Sequence, residues 1–110
     1  MKAVTAYVVN LTDRAERNWR EAYEWYAERS HEVAEQWYDT MQAALDSLKD
    51  HPERCPLADE NASLPIELRQ LNFGSGRKIT HRILFAIRPS YVVVYAIRHV
   101  AQGEWQPVKD

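Results

Sequence analysis

The stretch that most constrains this chain runs from Arg77 to Ile87, Arg-Lys-Ile-Thr-His-Arg-Ile-Leu-Phe-Ala-Ile. It is too short and too rich in β-branched and aromatic residues for a helix, and it has a cationic near half and an apolar far half. A second run of the same kind, Tyr91 to Arg98, follows the punctuation Arg88-Pro89-Ser90, so the two are predicted to form an antiparallel hairpin. Leu68 to Phe73 alternates as a short strand, with Gly74-Ser75-Gly76 as the turn into the central strand. The basic clusters then meet at one edge of the hairpin, where Arg98 and His99 end the last strand. In the central strand Ile79, His81, Ile83, Phe85 and Ile87 share one face, and Lys78, Thr80, Arg82, Leu84 and Ala86 the other. The first set is the more apolar and is expected to meet the rest of the fold. Arg82 is then expected on a partly open face, in line with Lys78.

What covers the apolar face lies upstream. Ala3 to Leu11 reads as a first strand covered within the sheet. Asp13, with Glu16 three positions on, predicts a capping-box start for a helix over 14–29, whose apolar stripe is Ala15, Trp19, Ala22, Tyr23 and Tyr26, with Trp25 at its edge. Ser30 can cap a second helix over 32–50, with Val33, Ala34, Trp37, Met41, Ala44, Leu45 and Leu48 on one side. His51-Pro52 ends it. Pro52 to Pro65 has three prolines and no period and reads as a loop with one short helical turn near Leu57 to Asn61. After His99 the tail, 100–110, leaves open a partly ordered segment or a final strand. The element order β-α-α-β-β-β predicts a single α+β domain over 1–110, a helical hairpin packed on one face of a small antiparallel sheet.

Composition bounds the function. At 110 residues, 45% hydrophobic and 27% charged, the chain suits one soluble domain. A single cysteine, Cys55, excludes an internal disulfide and fits a reducing cytoplasm. Signal-peptide and membrane-span patterns are absent, so a cytoplasmic protein without a membrane partner is expected. The net charge of −2 divides unevenly. Residues 1–65 hold seven Lys/Arg against thirteen Asp/Glu, and residues 66–110 seven against three. An acidic half and a basic half suit one surface for solvent or protein and another for an anionic partner. Scattered His31, His51, His81 and His99, with one Cys, give no metal-ligand spacing, and Gly74-Ser75-Gly76 is no phosphate loop. No metal or small-molecule cofactor is expected.

The ordered set of elements resembles the RelE/ParE family of small toxins from bacterial type II toxin–antitoxin systems. The resemblance spans the first strand to His99 and rests on Asp50-His51-Pro52-Glu53-Arg54, Leu68-Arg69-Gln70-Leu71, His81-Arg82-Ile83-Leu84-Phe85 and Ile97-Arg98-His99. It implies a growth-inhibiting toxin neutralised by a cognate antitoxin protein. RelE-like members cleave messenger RNA on the ribosome without a metal, whereas ParE-like members inhibit DNA gyrase and lack the catalytic set. A third kind shows little toxicity and serves as a binding module. By the resemblance, Arg82 matches the strand arginine of the nucleases, Arg69 a basic residue on the preceding strand, and His99 the terminal His or Tyr. Two positions depart from the pattern: His81 stands where a Tyr usually precedes the strand arginine, and no basic residue follows His99.

Metal-free RNA cleavage needs a base for the 2′-hydroxyl, an acid for the leaving oxygen, and cations for the phosphorane. His99 suits the proton transfers, and Arg82 and Arg69 suit bidentate phosphate contacts. Arg77, Lys78 and Arg98 would steer a nucleic-acid or protein target by charge. The candidate catalytic set is therefore Arg69, Arg82 and His99, and the candidate binding set Arg77, Lys78 and Arg98.

Overall fold

A computed structural model describes residues 6–106. Its elements are β1 (Val8–Leu11), α1 (Asp13–Ala27), α2 (His31–Ser47), β2 (Arg69–Ser75), β3 (Lys78–Ile87) and β4 (Tyr91–His99). Short 3-10 turns occur at Pro52–Arg54, Asp59–Ser63 and Val100–Gln102. The β-α-α-β-β-β order stands as read from the sequence.

The sheet has the order β1-β4-β3-β2. Strands β2, β3 and β4 are antiparallel neighbours, whereas β1 lies parallel to β4, Val8 opposite Tyr91 and Leu11 opposite Val94. The sheet is therefore mixed rather than wholly antiparallel. The long connection through the helices and the β2–β3 hairpin is what permits a parallel pairing. The first strand is also at an edge rather than covered, with Val8 exposed, and the Ala3–Thr5 part of the expected strand lies outside the described residues.

Helix α1 starts one residue earlier than the capping-box reading placed it. Thr12, not Asp13, is the N-cap, and its hydroxyl accepts from the Ala15 amide at 3.1 Å. Ser30 caps α2 as expected, accepting from the Val33 amide. That helix ends at Ser47, before the Pro52 barrier, and His51 takes a left-handed φ of 44° ahead of the proline. The hairpin is zipped by aromatic pairs, Trp19 on Tyr38 at 5.3 Å and Tyr26 on Trp37 at 5.7 Å. Its inner stripe buries Ala15, Trp37, Met41, Leu45 and Leu48 against Phe73, Ile83, Phe85, Val92, Val94 and Ile97.

The strict alternation expected along β3 breaks near its start. Phe73 pairs with His81 but Gly74 with Ile79, so Thr80 is an extra residue in β3. A Cβ on Gly74 would lie 1.9 Å from the Lys78 carbonyl oxygen, so only glycine fits against this bulge. The bulge swaps the faces N-terminal to it. Ile79, expected to meet the helices, is 48% exposed, and Thr80 lines a small hollow with Tyr26 and Trp37. The turn is the two-residue Gly76-Arg77, with Gly76 alone at positive φ (59°), rather than Gly74-Ser75-Gly76.

The second face of the sheet is not open. The loop after α2 and the segment after β4 fold across it, and Ala58, Leu68, Leu84, Ala96 and Trp105 form a second apolar cluster there. Tyr95 bulges out of β4, because Leu84 pairs with Ala96 and Phe85 with Val94, and its ring packs on Trp105 at 5.8 Å. Among the described residues the tail, 100–106, forms a turn and a strap over this face, without a further strand.

Candidate functional site

Arg82 lies beneath this cover. It is 7% exposed, and its guanidinium forms a two-pronged ion pair with Glu60, which is 1% exposed. Nη1 donates to Glu60 Oε1 at 2.9 Å and to Gln70 Oε1 at 3.2 Å, while Nη2 donates to Glu60 Oε2 and to the Gly103 carbonyl at 3.0 Å. The Trp105 amide adds a third donor to Glu60, at 2.7 Å. Burial opposes ionisation of Glu60, but hydrogen bonds from Arg82, from the Trp105 amide and from its own amide outweigh it and hold its pKa at about 2. The same carboxylate raises the pKa of Arg82 further. Glu60 was invisible to strand-pattern reasoning, because it sits in an aperiodic loop that only the tertiary fold lays over β3.

Arg69 is turned toward the same loop. Its Nη1 donates to the Cys55 carbonyl at 2.7 Å and to that of Glu53 at 3.3 Å, and Nη2 pairs with Glu67. Arg98 donates from Nη2 to the carbonyls of Gln102, Gly103 and Glu104, tying down the strap. Burial, then the neighbouring Arg82 charge, lowers its pKa. Arg69 and Arg98 thus hold backbone carbonyls of the loop and strap, that of Gly103 being shared with Arg82. Only Arg77 and Lys78 of the six candidates present their charge outward from the hairpin tip.

His99 caps the last turn. Its Nδ1 accepts from the Ala101 amide at 3.0 Å, while its own amide donates to Gln102 Oε1 at 2.8 Å. It is not brought beside Arg82: its ring centroid is 5.1 Å from that of His81, on the helix side of the sheet. His81 is 4% exposed, stacked on Phe73 and edge-on to Trp37. Burial, then the neighbouring His99, depresses its pKa to about 4, so the ring is neutral near pH 7. Cys55 is a buried thiol whose pKa burial pushes up. Among the described residues no cluster of three His, Cys, Asp or Glu is placed to hold a metal, and no helix is long and apolar enough to cross a membrane.

The predicted catalytic trio is thereby divided: Arg82 in a buried ion pair, Arg69 among loop carbonyls, and His99 across the sheet. A cationic pocket for a phosphorane would require the Glu60 carboxylate to leave. The fold itself is shared with solved structures. The chain is similar to that of the "Chromosomal ParDE TA system from P. aeruginosa", with a TM-score of 0.68 at 13% identity, over 86% of this chain and 96% of that one. No curated protein matches its sequence. The family model described as "ParE toxin of type II toxin-antitoxin system, parDE" matches residues 9–103. The chain belongs to the ParE toxin family of type II toxin–antitoxin systems.

Proposed function

We propose that this ParE-family toxin arrests growth by binding DNA gyrase in the cytoplasm, as a single domain that performs no RNA cleavage. The observation that carries this reading is the buried Arg82–Glu60 pair. A nuclease needs uncompensated positive charge at the scissile phosphate, and here the strand arginine is already neutralised by a carboxylate that shares its burial. A binding toxin has no such need and can use the arginine to fix the loop. The proposal assigns target contact to the outward Arg77 and Lys78 at the β2–β3 tip, and release to a cognate antitoxin protein. Arg69, Arg82, Arg98 and His99 then serve the scaffold that presents this tip.

Expression without antitoxin should induce a DNA-damage response, and the purified chain should inhibit supercoiling by gyrase. The charge-reversed pair Arg77→Glu/Lys78→Glu should weaken inhibition by about tenfold while the protein stays folded, the scale expected for two rim charges. Ribosome-bound messenger RNA should keep its 5′ ends. Cleavage of that RNA, abolished by His99→Ala, would establish the nuclease reading instead. Expression with no growth defect would favour a non-toxic binding module.

A further inference from the structure

A pocket of about 460 Å³ opens between α1 and the paired ends of β3 and β4, lined by Asn18, Glu21, Ala22, Trp25, Tyr26, His81, Ile97, His99 and Gln102. Four of these side chains have had their hydrogen-bonding sense fixed by the fold. The Trp37 indole N–H, which can only donate, lies 3.3 Å from His81 Nδ1, and the Thr80 hydroxyl lies 2.8 Å from the same atom. Neutral His81 must therefore carry its proton on Nε2. The Ala101 amide donates to His99 Nδ1, which leaves the proton on Nε2 there too. Asn18 Oδ1 accepts from the Ile97 amide at 3.0 Å and Gln102 Oε1 from the His99 amide, so each carboxamide is oriented by that bond and keeps its NH₂ beside one remaining lone pair.

The two rings have their acceptor engaged and keep Nε2–H as a donor, while the two carboxamides keep their NH₂ donors and half of their acceptor capacity. His81, although 4% exposed, has no protein acceptor for Nε2 among the described residues. Its Nε2 is not sealed off as a buried unpartnered atom, so an acceptor entering the pocket can reach it. The walls are aromatic, with Trp25 52% exposed at the rim.

We propose that this pocket binds an acidic side chain of a polypeptide partner, with an adjacent apolar residue packed against Trp25 and Tyr26. Four donor-bearing side chains on the lining of one cavity suit a carboxylate, whose two oxygens offer about four lone-pair sites. Glu21 on the lining repels anions, which disfavours a doubly charged phosphate more than a singly charged carboxylate. A polypeptide is the occupant because a ParE-family toxin works in complex with a protein partner, and the proposal rests on that membership. It does not depend on gyrase being the target.

The test uses the purified full chain and ¹⁵N imidazole NMR with four probes: blocked phenylalanyl-glutamate, phenylalanyl-glutamine and phenylalanyl-lysine dipeptides, and phenyl phosphate. The glutamate peptide should shift the Nε2 signals of both His81 and His99 saturably. The glutamine peptide should bind about fivefold more weakly, since charge-assisted hydrogen bonds exceed neutral ones. Trp25→Ala should weaken binding, and Glu21→Gln should tighten it about two- to fivefold, the range for one exposed charge pair. Preference for the lysine peptide or for phenyl phosphate would overturn the assignment, as would unmoved His81 Nε2 or affinity unchanged in His99→Ala. None of these readouts involves supercoiling, so failure here and failure of the gyrase reading are distinguishable.

Discussion

Replacing Arg82 by Met leaves the Glu60 carboxylate, 1% exposed, with backbone donors and no compensating charge. Removing one partner of a buried ion pair costs about 3–5 kcal/mol. The fall in the Glu60 pKa from 4.5 to about 2 corresponds to roughly 3 kcal/mol of stability at neutral pH, of which Arg82 supplies only a share because the Trp105 amide and Glu60's own amide contribute too. Domains of this size are stable by only about 5–15 kcal/mol, so Arg82→Met should lower the urea midpoint steeply, followed by tryptophan fluorescence. The double variant Arg82→Met/Glu60→Met removes both charges and should recover most of the loss, giving a coupling energy of several kcal/mol in a double-mutant cycle. The pH dependence has a definite sign. Because the folded pKa of Glu60 is depressed, the stabilisation is complete above 4.5 and drains as pH falls from 4.5 toward 2. Glu60→Gln should flatten that limb. An Arg82→Met protein within about 1 kcal/mol of wild type, yet inactive, would refute the scaffold role and return Arg82 to the chemistry.

Other perturbations test other parts of the fold. His81 is a base whose folded pKa, about 4, lies below its ordinary 6.5, so its neutral form contributes stability above 6.5 that is lost between 6.5 and 4. The slope in that window should be about 1.4 kcal/mol per pH unit and should vanish in His81→Gln, read by urea titration across the range. Thr12→Ala should cost about 1 kcal/mol in thermal or urea unfolding, while Asp13→Ala should cost less, because Thr12 supplies the cap. Gly74→Ala should disrupt the β2–β3 pairing, since its Cβ would meet backbone at 1.9 Å. Gly76→Ala, with open space around it, should cost only the roughly 1 kcal/mol of a left-handed alanine, both seen as changes in unfolding midpoint.

The sequence by itself determined the element order, the helical hairpin and most of its inner stripe, Val33 being left exposed, because these depend on local periodicity and on caps such as Ser30 within a few residues of what they cap. It also placed Ile83 and Phe85 correctly on the helix side of β3. What it could not carry were relations set by distant segments. Strand alternation assigned Ile79 to the core, and the bulge at Thr80, which the glycine across the hairpin leaves room for, turned it outward. Parallel pairing of β1 with β4 depends on where the chain returns after some eighty residues, which no local pattern encodes. Above all, the sheet's second face looked open because an aperiodic loop and an aperiodic tail gave no signal that they would close over it. Only the tertiary structure brought Glu60 to Arg82. In low-dielectric surroundings a carboxylate at hydrogen-bond distance decides what a guanidinium can do, and that proximity is a property of the fold, not of the strand.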